Sequence, residues 1–403
     1  MASSPRRSVL RLLDGPLPVP PPALRRGPFR QGAFGTALHD ERTAALVGRW
    51  LGIAFTVCFL TGMISHVHQN PPVWLDLPSR PVGGYRLSQG LHVGTGLALI
   101  PLLLAKLYVI YPRLFTWPPA RSVRHAAERA SVLVLIGAAL FQVITGVANI
   151  AQWYPFGFGF LTAHYLTAWV AMGALALHVA VQWPAIRREL RRRSVLAPTD
   201  QGDTAEPGRR AFLVGVGVAV ASVTAVTVGQ TVRPLERLAV LAPRRPSVGE
   251  QGLPVNRTAA QARVTETAVD PAWRLSLSGP AGEQWLTLAE LRRLELVEAT
   301  LPIACVEGWS SSARWRGVRV LDLAAMVGGG AGDQVRVTSL EERGAYRVST
   351  LGAASTADPL TLLALEIGGR PLSINHGFPA RIIAPNRPGV LQTKWVGRLE
   401  VLR

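Results

Sequence analysis

The sequence predicts a multi-domain chain: an all-α transmembrane helical bundle of four helices plus a fifth anchor helix, followed by an α+β domain. Three observations predict it. Apolar residues are 48% of the 403 positions, but they gather in five long blocks before position 231. The basic excess, a formal charge of +18, sits beside those blocks. From about residue 253 the apolar pattern turns from long runs into period-two alternation broken by turns.

Residues 1–43 are rich in proline and arginine (Pro16, Pro18, Pro20, Pro21, Pro22, Arg25, Arg26) and read as a disordered basic cytoplasmic tail with no signal peptide. A helix needs roughly 20 apolar residues to cross a bilayer core. The blocks at 44–65, 90–111, 130–150 and 160–183 meet that length and define a four-helix domain over 44–184. Residues 185–210 form a cytoplasmic basic linker, 211–232 hold the fifth helix (apolar over 211–230), and 233–252 form a second linker. Residues 253–403 then make the α+β domain, with strands in 273–277, 334–337 and 398–402 and helices in 287–294 and 321–326.

Charge sets the orientation. Arg113, Arg121, Arg124 and Arg129 follow the second block, and Arg187, Arg188, Arg191, Arg192 and Arg193 follow the fourth. The alternate loops are poor in basic residues, so the N-terminus is cytoplasmic and everything after the fifth helix is extracytoplasmic. The implied location is a bacterial cell membrane, crossed several times, with the lipid bilayer as partner. Arginines placed this way, without aromatic interleaving, exclude a nucleic-acid groove. The two cysteines, Cys58 in an apolar block and Cys305 in the outer domain, exclude a disulfide framework and leave one exported thiol to explain.

The fifth helix is only mildly apolar and follows Arg209-Arg210-Ala211-Phe212-Leu213. This resembles a twin-arginine export signal, which implies the twin-arginine translocase as a partner during export and a cofactor inserted before it.

Histidines in apolar helices are rare and usually functional, and imidazole is the usual axial ligand of b-type haem. His92 and His164 lie near the outer ends of their blocks, so one haem could bridge them. His164 and His178 are 14 residues apart on one block, which returns to within roughly 40° of the same face after a rise of about 21 Å. His66 competes with His92 for the outer position. The pattern resembles the four-helix cytochrome subunits of formate dehydrogenase and hydrogenase, and implies one or two b-type haems. In that family the first helix carries a His-Trp pair, where this chain has Arg49-Trp50, and His178 has no matching partner.

Two stretches of the outer domain carry a second resemblance. One is Leu301-Pro302-Ile303-Ala304-Cys305-Val306-Glu307-Gly308-Trp309, followed by Trp315-Arg316-Gly317-Val318. The other runs through residues 363–372, His376-Gly377-Phe378-Pro379-Ala380-Arg381 and Lys394-Trp395. Both resemble the molybdenum domain of the sulfite oxidase family, which includes assimilatory nitrate reductases and a periplasmic methionine-sulfoxide reductase. The resemblance implies a molybdenum–molybdopterin cofactor with Cys305 as its thiolate ligand and catalytic centre. It implies that His376, Arg381 and Lys394 bind the pterin phosphate, assisted by backbone donors near Gly389. Asn256 and Arg257 are further cofactor contacts, and Tyr346 is a candidate pocket residue. Sulfite oxidases have an arginine-rich pocket; Val306-Glu307-Gly308-Trp309 after the cysteine argues against sulfite as substrate.

The expectation is an oxidoreductase that transfers an oxygen atom at molybdenum to or from a small-molecule substrate and exchanges electrons with membrane quinone through haem. Two other readings stay open: a non-catalytic membrane protein with an extracytoplasmic binding domain, and an electron-transfer subunit without molybdenum.

Overall fold

In a computed structural model of the chain, the residues described are 37–72, 74–115, 122–191, 205–228, 238–242, 244 and 248–402. The predicted tail up to residue 36 and parts of both predicted linkers lie outside them.

Among the described residues, five helices are long and apolar enough to cross a membrane. They are α1 (Glu41–Gln69), α2 (Gly84–Leu114), α3 (Val123–Ile150), α4 (Phe160–Arg191) and α5 (Ala205–Val228). α1, α2, α3 and α5 begin before their apolar blocks, because polar residues that cap a helix are invisible to a hydropathy window, while α4 begins with its block at Phe160. Asp40 starts α1, its carboxylate accepting from the Thr43 amide at 2.6 Å and hydroxyl at 2.8 Å. Ser122 starts α3, accepting from the His125 amide at 3.1 Å.

The chain divides into two compact units. The first comprises the described residues up to Phe59 together with Thr95–Thr224. Phe55, Leu99, Leu103, Ala138, Ala139 and Ala171 form its core, so the first four helices contribute to one apolar seam. The small alanines let helices approach closely. Arg209, first of the arginine pair, lies 3.6 Å from Asp40 in this unit.

The second unit joins Ala225–Arg403 to Leu60–Gly94, the end of α1, the following loop and the start of α2. The sequence places these residues within the four-helix domain. Here, Arg80 makes two hydrogen bonds to buried Asp358, at 2.9 and 3.0 Å. Asp76 accepts from the Ala354 amide at 2.8 Å, and Asn386 accepts from the Tyr85 amide at 2.6 Å while donating to the Pro78 carbonyl at 2.8 Å.

The rest of this unit is α+β. Two short helices, α6 (Ala259–Ala262) and α7 (Thr265–Val269), precede β1 (Arg274–Gly279) and β2 (Gly282–Thr287). Then come α8 (Leu288–Leu291), β3 (Val297–Ala304), β4 (Ser310–Arg319), α9 (Val320–Ala325), β5 (Gln334–Ser339) and β6 (Val348–Leu351). The chain ends with α10 (Ala353–Ala357), β7 (Leu362–Ile367), β8 (Arg370–Pro371), β9 (Arg381–Ile383) and β10 (Val396–Leu402). One sheet has the order β2-β1-β10-β5-β6, with β1 and β10 parallel. The other has the order β3-β4-β7-β8, with β9 also on β7. Alternate residues of the first sheet (Leu275, Leu277, Val335, Val337, Leu399) enter one core. Leu301, Ile303, Trp315, Leu362 and Ala364 fill a second core, and Cys305 lies in it.

Candidate functional site

Cys305 follows the last residue of β3, in the turn that leads into β4. Its amide donates to the Trp309 carbonyl at 2.9 Å, and the Gly308 amide donates back to the Cys305 carbonyl at 3.1 Å. Gly308 closes the turn at φ +93°, a conformation that favours glycine. The thiol is buried, and the Asn256 side-chain amide donates to its sulfur at 2.8 Å. Burial first, and then the charge of Glu307, push the Cys305 thiol up to about 12. Glu307 is itself buried and accepts from the Trp309 indole at 3.2 Å. Tyr346 stands near enough that the Cys305 charge adds to burial in raising its phenol.

Linked to the thiol through Asn256-Arg257 is a group of buried and half-buried basic residues. The Arg381 guanidinium donates to the carbonyls of His376 at 3.0 Å and Gln392 at 3.3 Å, and lies 5.1 Å over the Trp315 ring. Among the described residues no carboxylate pairs with it, and its Nε has no hydrogen-bond partner. The Lys394 ammonium donates to the carbonyls of Arg257 at 2.6 Å and Asn375 at 3.0 Å. A His376 ring nitrogen lies 2.6 Å from the Glu250 carbonyl. Gly377, at φ +108°, separates these groups; a methyl there would come within 3.0 Å of Lys394 Cβ and 3.1 Å of Arg381 Cβ. Burial holds Arg381 down at about 10. Burial and then the Arg381 charge hold Lys394 at about 7 and His376 at about 4. Arg257 is half-exposed and pairs with Glu341 at 2.7 Å.

Glu250 and Glu341 offset the charge at Lys394, but among the described residues no carboxylate pairs with Arg381, whose burial is costly unless an anion balances it. Asn256 shows the same incompleteness: its Oδ1 is buried without a partner, though its amide holds the cysteine. A cavity of about 480 Å³ opens beside these residues, lined in part by Glu250, Pro254, Val255, Thr258 and Asn375. Gly389, near which backbone donors are expected, packs on the Ala304 carbonyl, where a methyl would lie 3.0 Å away. The donor set suits an anionic group placed next to a soft sulfur ligand.

The helical histidines fall into two sets. His66 and His92 belong to the second unit, and His164 and His178 to the first. His92 packs on Gly62, where a methyl would come within 2.8 Å of its Cε1. The His164 Nδ1 lies 2.9 Å from the Thr145 hydroxyl, and Gly146 faces its Cε1.

Two residues of the site escaped the sequence reading. Glu307 entered it only as a departure from a basic run, though its place two residues after Cys305 was a usable signal. Gln89, whose side-chain amide donates to the Val306 carbonyl at 2.7 Å, carried no signal beyond being polar near the start of an apolar block.

Residues 261–403 match the family described as oxidoreductase molybdopterin binding domain. The mitochondrial sulfite oxidase of Rattus norvegicus is 30% identical over 166 residues, covering 33% of this chain and 30% of that protein. A protein of Azospira oryzae named as the protein-methionine-sulfoxide reductase subunit YedZ1 is 32% identical over 136 residues, 33% of this chain and 50% of that one. A solved structure, the sulfane dehydrogenase SoxCD from Paracoccus pantotrophus, matches at 22% identity with a TM-score of 0.30, covering 33% of this chain and 40% of that chain. The chain thus spans half or less of the length of these relatives. Its C-terminal part is a molybdopterin-binding oxidoreductase domain.

Proposed function

We propose that the chain is a membrane-bound molybdopterin-dependent oxidoreductase, working on the outer face and coupled through b-type haem to the quinone pool. One observation carries the reading: a buried thiol held by Asn256, whose own Oδ1 is buried without a partner, in the same unit as a buried Arg381 whose Nε has none. Cys305 would hold molybdenum as a thiolate, a ligand whose burial in the metal-free site favours the protonated form. Arg381, Lys394 and His376 would hold the pterin phosphate, with Arg257 at the edge. When bound, the cofactor supplies two-electron oxygen-atom transfer. The chain fixes the sulfur through the Cys305–Trp309 turn and excludes water by burial.

Glu307 sets the sign of charge near the sulfur. A carboxylate there repels anions such as sulfite and suits a neutral S-oxide, in line with the name of the Azospira oryzae relative. His92 and His164 would ligate the outer haem; a hydrogen bond on one ring nitrogen, as Thr145 provides to His164, orients an imidazole for binding through the other. His178 would serve a second, inner haem and His66 is the alternative outer ligand. Arg209-Arg210 with Phe212-Leu213 would be read by the twin-arginine translocase, which carries folded proteins, and α5 would stay in the membrane as an anchor.

Metal and pterin analysis of the full chain, purified in detergent from a host that makes the cofactor, tests this reading together with a reduced-minus-oxidised spectrum. Stoichiometric molybdenum and a b-type band are expected. Protein that is properly matured yet empty of molybdenum and tungsten overturns the enzymatic reading. A b-type band with full electron transfer after Cys305→Ser would leave an electron-transfer subunit instead.

A further inference from the structure

We propose that Gln89 is a positioning residue for the Cys305 loop, so that the helix carrying His92 directly holds the sulfur-bearing turn. The proposal rests on the reading above, and all the residues it uses lie in the second unit. Gln89 is 4% exposed and spans two partners. Its Nε2 donates to the Val306 carbonyl at 2.7 Å, and its Oε1 accepts from the Ser65 hydroxyl at 2.6 Å. The Ser65 oxygen lies 3.2 Å from the Tyr85 hydroxyl, and both residues are buried. A buried polar chain therefore runs from the end of α1, through the start of α2, to the residue after Cys305.

Packing follows the hydrogen bond. Val93, one turn beyond Gln89 and on the same face of α2, lies against Gly308; a methyl on Gly308 would come within 2.7 Å of Val93 Cγ1. The turn is thus held at both ends of Glu307, by Gln89 through Val306 and by Val93 through Gly308. His92 sits between these two contact residues in sequence. The start of α2 would then join a haem held by His92 to the turn that would hold molybdenum. The Arg80–Asp358 pair fastens the same segment elsewhere and does not touch the loop, which makes it the control.

The test uses the full chain in detergent with Gln89→Leu, Gln89→Glu and Arg80→Ala. Gln89→Glu keeps the shape and the acceptor for Ser65 but loses the donor to Val306, and so remains informative where Gln89→Leu fails to fold. In metal-free protein, hydrogen exchange at the Cys305 and Gly308 amides is expected to quicken by about tenfold or more in both Gln89 variants, the worth of a buried hydrogen bond, and to exceed at these two amides any uniform quickening that the destabilised Arg80→Ala shows across the unit. In loaded protein, the Mo(V) electron paramagnetic resonance g-values are expected to shift and haem-to-molybdenum electron transfer to slow, with the haem band unmoved. Unchanged exchange at the turn in Gln89→Glu overturns the proposal, as does quickening of equal size in Arg80→Ala. If wild-type protein holds no molybdenum yet exchange responds to Gln89 alone, the enzymatic reading fails and the positioning role stands. If molybdenum is present and the exchange, g-values and transfer rate are all unmoved, only the positioning role fails.

Discussion

Replacing Arg381 by methionine separates a structural guanidinium from one that waits for an anion. In the metal-free protein this side chain is 4% exposed and held at about 10 against an ordinary 12.5, which corresponds to about 3 kcal/mol of desolvation carried by the fold. Methionine removes that cost. It also removes donors to the carbonyls of His376 and Gln392, at about 1 kcal/mol each. The contact with Trp315 contributes another 1 kcal/mol or so. The two sides nearly cancel, so metal-free Arg381→Met is expected to melt within about 1 kcal/mol of wild type; breaking a buried ion pair would cost about 3–5 kcal/mol. Loaded protein behaves differently. Losing a charge-assisted bond of about 1.5–3 kcal/mol to a phosphate weakens cofactor retention by about 10- to 100-fold. The assays are thermal melting of metal-free protein and molybdenum content after dialysis. A metal-free variant that loses several kcal/mol while keeping its molybdenum would show that Arg381 only supports the fold.

Cys305→Ser is expected to abolish molybdenum-dependent turnover while leaving the melting temperature of metal-free protein nearly unchanged; retained turnover refutes the ligand assignment. In wild-type metal-free protein, Cys305 at about 12 stays protonated and should resist alkylation at pH 8, read by mass spectrometry. Lys394 at about 7 and His376 at about 4 are both depressed bases, so the unfolded chain takes up their protons first. Metal-free stability should therefore fall as pH drops from about 10 to 7 through Lys394 and again from about 6.5 to 4 through His376, and Lys394→Met should flatten the upper limb of the melting profile. Arg80→Ala leaves Asp358 buried without its partner and is expected to cost about 1–3 kcal/mol in denaturant melts, the exposed side of the pair moderating the loss. His92→Ala should remove the outer haem band from reduced spectra, and His178→Ala should leave that band in place.

Sequence alone was enough for the five apolar helices and for the identity of the C-terminal domain. Long apolar runs need no partner to declare themselves, since the chain's own length against a bilayer decides them. The thiol and the basic residues of the domain stand in short contiguous stretches, so residue order announced them. Alternation in 273–277, 334–337 and 398–402 likewise marked β1, β5 and β10, because a strand's two faces are written into every second residue. The α8 turn shows where local reading weakens: a capping box of Thr287 and Glu290 starts a helix, but only Leu288–Leu291 completes it before the chain turns toward β3.

What tertiary structure decided was which distant residues share a dielectric environment. Asn256 meets the Cys305 sulfur from 49 positions away, and Gln89 meets Val306 from 217. A lone asparagine or glutamine has no periodicity, and its meaning arises only when burial makes its hydrogen bonds obligatory. The same holds for Arg80 and Asp358, which the fold pairs across 278 positions. Composition and order determined the kinds of chemistry available; burial determined which polar groups must satisfy one another, because only in the interior is an unmet donor or charge expensive.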